Sequence, residues 1–128
     1  MLAHSDEGMP SWLKTVEQQL AGMEQSERPY ETAAARIELA RNAVTRAQQE
    51  TGCSPEMIAN IQHELAVAYL EHLSAQRTQH MEGALLACEE ALQVYTLAGY
   101  PYQYASVQIT RGATYRERNM GVQRDNLE

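Results

Sequence analysis

Leu13, Val16, Leu20 and Met23 recur three or four positions apart, the spacing that places side chains on one face of an α-helix. They predict a first helix over about Ser11 to Gln25, with Ser11 as N-cap behind Pro10. Ala33, Ile37, Ala40, Val44 and Ala47 predict a second over about Tyr30 to Glu50, ended by the break Thr51-Gly52-Cys53-Ser54-Pro55. Ser54 then caps a third helix with Pro55 at its first position. Its stripe is Ile58, Ile61, Leu65, Ala68 and His72, and it runs to about Leu73. Met81, Leu85, Cys88, Leu92 and Tyr95 predict a fourth over about Gln79 to Ala98, closed by Gly99. A fifth runs over about Tyr102 to Asn119, its stripe of Tyr104, Val107, Gly112 and Tyr115 interrupted by Arg111. Polar loops are expected at Ser74 to Thr78 and at Asn119 to about Gln123. A sixth helix is expected to start near Val122. Residues 1–10 read as a flexible tail, and no period-2 alternation marks a strand.

The 128 residues suit one domain, and 44% apolar with 21% charged residues suits a globular chain. Seventeen acids against ten bases give a net charge of −7, which argues against a nucleic-acid or anionic-lipid binder. No apolar run reaches the roughly 20 residues of a membrane span. The stretch from Met1 to Glu7 has neither a basic nor an apolar segment, so no secretory leader is expected. Two cysteines, Cys53 and Cys88, are too few for a disulfide scaffold, and a cytoplasmic location is the expectation.

The chain also repeats. Shifted by 46 positions, Pro55 falls on Pro101, Ala59 on Ala105, Gln62 on Gln108, Tyr69 on Tyr115 and Glu71 on Glu117. The second and fourth helices match at a shift of 48: Ile37 with Leu85, Ala40 with Cys88, Ala43 with Ala91 and Val44 with Leu92. The unit is thus a helical hairpin, over about residues 11–50, 55–98 and, incomplete, 102–128.

Leu65-Ala66-x-x-Tyr69, then Ala84-x-x-x-Cys88-x-x-Ala91, then Pro101 resembles the tetratricopeptide (TPR) pattern. Ala91 to Thr96 with Tyr100-Pro101 and Tyr104-Ala105-x-x-Gln108, and Gly112-x-x-Tyr115-x-Glu117-Arg118, resemble a longer-period bacterial variant. That variant is often joined to CHAT proteases or NTPase signalling modules. Three residues depart from the pattern: Cys88 for an aromatic, Arg111 for Leu, and Arg36 for a small residue. The resemblance implies an all-α fold, a TPR-like right-handed stack of antiparallel hairpins with about five helices plus the start of a sixth. The stop soon after that start reads as a longer array cut short, or as a helix covered by a partner. Residues 1–28 carry five acids and two bases, −3, and residues 100–128 three acids and four bases, +1, a polarity suited to head-to-tail contact.

Candidate chemistry is sparse. His63-Glu64 and His72 lack the His-Glu-x-x-His zinc spacing, and His80 with Cys88 lies two turns apart, so no metal is expected. Cys88 reads as a small core residue and Cys53 as exposed in a turn. Glu89-Glu90 and Glu71/Glu117 read as solvated acids, and no glycine-rich phosphate loop occurs. Arg111, Arg116, Arg118 and Arg124 read as a polar face, or more sharply as an acidic-peptide site. Tyr95, Tyr100, Tyr102 and Tyr104 read as packing at one corner, or as an aromatic anchor.

The resemblance implies a protein-interaction scaffold, not an enzyme, with no cofactor. It would bind a protein or peptide on the concave groove lined by Asn60, His63, Val67, Leu70, Glu71, Ser106, Ile109, Ala113, Arg116 and Glu117. Such a scaffold fits the sensing or regulatory part of a larger bacterial signalling protein. One alternative is a homo-oligomerisation module pairing through its C-terminal helix. Another is a small helical enzyme or metal protein.

Overall fold

Ser54 and Pro55 do what their positions predict. The Ser54 hydroxyl accepts the Met57 N–H at 3.2 Å, and Pro55 opens the helix where a missing N–H costs nothing. The computed structural model describes residues 8–26, 28–72 and 77–127. They form five helices: α1, Ser11–Glu24; α2, Pro29–Gln49; α3, Pro55–Glu71; α4, Arg77–Leu92; and α5, Pro101–Leu127. There is no strand among the described residues.

Several boundaries differ from expectation. Ser11 is already helical, and Pro10 stands in the cap position without a side-chain bond, its carbonyl accepting from Leu13 and Lys14. Pro10 has the extended backbone of a cap, and the chain turns one residue early. Met9 is buried at 6%, so the packed region begins before Ser11; of the expected tail, residues 1–7 lie outside the described residues. The loop expected at Ser74 to Thr78 gives way to helix at Arg77, and residues 73–76 are outside the described set.

Helix α4 ends at Leu92, six residues before Ala98. Tyr95 is drawn onto α3, where its hydroxyl donates to the Glu56 carbonyl at 3.1 Å, and a series of turn bonds replaces the helix. Gly99 is therefore no helix cap, and its N–H donates to the Thr96 hydroxyl. The other correction is at the far end. Helix α5 runs unbroken through Asn119–Gln123, so among the described residues no sixth helix begins near Val122. Asn119 and Gly121 weaken a helix by roughly 1 kcal/mol at most, and no proline removes a backbone bond there.

Packing is extensive between successive helices, and α3 also meets α5 over a smaller area. Two cores result. One joins Met9, Leu13 and Leu20 to Ala40, Ala43, Met57 and Ile61; the other joins Ala59 and Ala66 to Ala87, Cys88, Ala91, Tyr95 and Val107. Leu65 packs against both. Burial recurs at the sequence spacing. Ala33, Arg36, Ala40 and Ala43 of α2 and Met81, Ala84, Cys88 and Ala91 of α4, 48 positions on, are all buried. Ile61 and Ala68 of α3 are matched by buried Val107 and Thr114 of α5, 46 positions on. The small residues let helices approach closely: a Cβ on Gly83 would stand 3.0 Å from the Tyr69 ring.

Candidate functional site

Helix α3 turns one face away from both cores, and α1 and α5 flank it. Asn60 donates to Glu17 of α1 at 3.1 Å. One turn on, His63 Nε2 lies 3.0 Å from the Thr110 hydroxyl of α5. That hydroxyl gives its own proton to the Ser106 carbonyl at 3.3 Å, so it accepts from His63 Nε2–H. Burial holds the His63 pKa below its ordinary value, against the opposing pull of Glu24. His63 is a neutral bridge between helices rather than a free base. Val67 lies half-buried a turn further along.

The α1 side of this face is acidic and knotted around one cation. Arg36, on α2, is 1% exposed. Its Nη2 ion-pairs with Glu71 of α3, Nη1 lies 3.9 Å from Glu24 of α1, and Nε donates to the Thr32 hydroxyl at 3.3 Å. Glu64 points into the same cluster. Burial, then the hydrogen bond and the charge of Glu24, hold its carboxyl far above the ordinary range, so Glu64 keeps its proton at neutral pH.

The ten expected groove residues divide. Asn60, His63, Val67 and Leu70 are half-buried on α3. Glu71 and Glu117, read as solvated acids, are instead each claimed by an arginine of the preceding helix. Arg36 takes Glu71, and Arg77 takes Glu117 through the carboxylate at 3.1 Å and the carbonyl at 2.8 Å. On α5, Ser106 and Ala113 flank Thr110, whereas Ile109, 73% exposed, and Arg116 stand on its outer surface. Arg111 lies over the Tyr115 ring at 5.4 Å. Glu17, Glu24 and Thr110 were not among the expected groove residues, and Glu64 was weighed only for a zinc motif. Their signal was their place one turn from Asn60, for Glu64, and from Ser106, for Thr110, or on the polar side of α1.

Other candidates are structural. Cys88 is fully buried, and burial pushes its thiol up to about 11, so it stays protonated at neutral pH. Cys53 is half-buried against the first core rather than exposed, and burial raises its pKa too. Tyr100 donates to the Glu56 carboxylate at 2.8 Å, which lowers that carboxyl's pKa, while its ring meets Tyr95 at 5.4 Å. His80 Nδ1 contacts the His72 carbonyl, and its ring lies 5.3 Å from Tyr69. No group of three or more His, Cys, Asp or Glu converges on a metal position among the described residues. No helix there is long and apolar enough to cross a membrane.

No protein-family model, curated protein or solved structure matches the chain.

Proposed function

We propose that the chain is a TPR-like right-handed stack of helical hairpins that serves as a protein-interaction scaffold. Its partner, a peptide or protein, would dock along the α3 face between α1 and α5, the concave side of such a stack. One observation carries this reading: alternate helices meet, α1 with α3 through Glu17–Asn60 and α3 with α5 through His63–Thr110. Stacked repeats bury a shared core and leave one row of helices as a continuous wall. The face pairs carboxylates on its α1 side with half-buried Val67 in the middle, and its donors are already engaged with each other. It favours recognition by shape and a few anchors over bond-making chemistry. Nucleic acid and membrane are not partners in this reading, which places the scaffold in the cytoplasm as the sensing or regulatory part of a bacterial signalling protein.

The test is a selection of displayed random peptides on the purified chain. Selected peptides should perturb backbone amide signals around His63 and Val67, and Val67→Arg should weaken them about tenfold or more without loss of helicity. Binders indifferent to Val67→Arg, with footprints elsewhere, would refute the assignment.

A second reading, self-association through α5, has its own support. Tyr102, Ile109 and Met120 are 65%, 73% and 48% exposed at helical spacing. Nothing lies within 4 Å of a Cβ placed on neighbouring Gly112. An antiparallel copy could seat its Ile109 there. Light scattering should then give a dimer that Ile109→Glu converts to monomer; a monomer at high concentration excludes it.

A further inference from the structure

A second recess lies outside the face just described, between α2 and α4 with α3 as its floor. Its volume is about 360 Å³, within the span of ligand sites. Two contacts set its axis. Arg36 meets Glu71 near the start of α2 and the end of α3, and Tyr69 packs on Gly83 near the start of α4. Helices α2 and α4 therefore run parallel on either side of antiparallel α3. Arg41 stands at the Tyr69–Gly83 end, and Gln48, Gln62 and Glu90 stand together at the other.

The middle of the groove is apolar: Val44, Leu65 and Leu86 line it, and Leu86 is 58% exposed. The polar end holds the telling feature. Gln62 is 7% exposed; its amide makes no hydrogen bond with any described residue and is open to the groove rather than sealed in the core. Arg41 and Glu90 likewise make no ion pair among the described residues. Three features thus lie in line: a guanidinium, an aliphatic strip, and a carboxylate beside an open amide.

Length and charge select the occupant. Arg41 to Gln48 is seven residues of helix, about 10 Å, and three residues of extended chain also span about 10 Å. We propose that this groove binds a short extended peptide segment. An acidic side chain would lie on Arg41, an aliphatic one between Val44 and Leu86, and a basic one against Glu90, with the Gln62 amide bonded to the peptide backbone. The site is separate from the α3 face and does not depend on it.

The probes are acetyl-Glu-Leu-Lys-amide and acetyl-Lys-Leu-Glu-amide, which cover both chain directions, with the Glu-Leu-Glu and Lys-Leu-Lys forms as controls. Backbone amide shifts of the full chain are followed by NMR. At least one mixed-charge peptide should saturate with a Kd on the order of 1 mM, and both controls should bind about fivefold or more weaker. Its shifts should be confined to α2 positions 41–48, α3 positions 62–69 and α4 positions 83–90. Gln62→Met should weaken binding about fivefold without lowering the thermal midpoint. Arg41→Glu, a surface change that spares the fold, should transfer preference to Lys-Leu-Lys. Absence of saturable shifts, equal binding of all four peptides, or a preference unmoved by Arg41→Glu would overturn the proposal.

Discussion

Replacing Arg36 with methionine is expected to destabilise the chain by about 3 kcal/mol, read from urea unfolding followed by circular dichroism. The guanidinium touches all of the first three helices: Glu24 of α1, Thr32 of its own helix and Glu71 of α3. Removing it leaves two carboxylates facing a protonated third, Glu64, in a region that water reaches poorly. Glu24 and Glu71 keep about a third of their side-chain surface exposed, at 34% and 28%, so they can rehydrate in part. That holds the loss below the ceiling of about 5 kcal/mol for a fully buried broken pair. The double variant Arg36→Met/Glu71→Met should recover at least half of the loss, because only Glu24, 34% exposed, is then left without its cation. A single-variant loss under about 0.5 kcal/mol would mean that the cluster is hydrated and that Arg36 is not its keystone.

Glu64→Gln is expected to raise stability at pH 8 by about 2 kcal/mol and to flatten its dependence on pH. The folded state holds the Glu64 proton more tightly than the unfolded chain, whose carboxyl titrates near its ordinary 4.5. A raised folded pKa contributes stability that is fully present below that ordinary value and lost as pH rises through the folded one. The native chain should therefore unfold at progressively lower temperature from about pH 5 to pH 9. An amide at position 64 still donates to Glu24 and has no proton to lose. The groups facing it are Glu17 and Glu24 of α1 and Arg36 of α2, with His63 beside it on α3. His63, whose folded pKa is lowered, acts in the opposite sense: it favours the folded state above its ordinary 6.5, and that stability falls away in acid. Parallel pH profiles for both proteins, offset or not, would show that Glu64 ionises normally.

Much of the fold was legible in the order of residues. The stripes of α1, α2 and α3, and the Ser54-Pro55 start, depend on neighbours three or four positions away, and local spacing reports such contacts directly. The 46- and 48-residue matches were legible for the same reason, since equivalent buried positions select similar side chains. The misses have a common physical origin. Tyr95 extends the apolar period of α4, but the helix stops because a carbonyl 39 residues away accepts its hydroxyl. Asn119 and Gly121 look like a break, but neither removes a backbone bond, and α5 continues. Arg36 looked like a misfit among small residues. It is instead the buried hub of a network, which its own stretch of sequence could not disclose.

The candidate sites were less legible than the fold. His63 and Asn60 were readable as positions on one face of α3, yet their engagement with Thr110 and Glu17 depends on how three helices meet. Gln62 was visible only as a repeat match to Gln108, and nothing local marks one as lining a groove. By itself the sequence determined that this protein is all-helical, where most of its helices begin, and that its burial pattern recurs along the chain. Those properties follow from side chains a few residues apart and from the geometry of the backbone. The tertiary structure alone decided which charges are shared, which amide opens onto a groove and where two helices leave that groove over a third. Those depend on contacts between different helices, which no local period encodes.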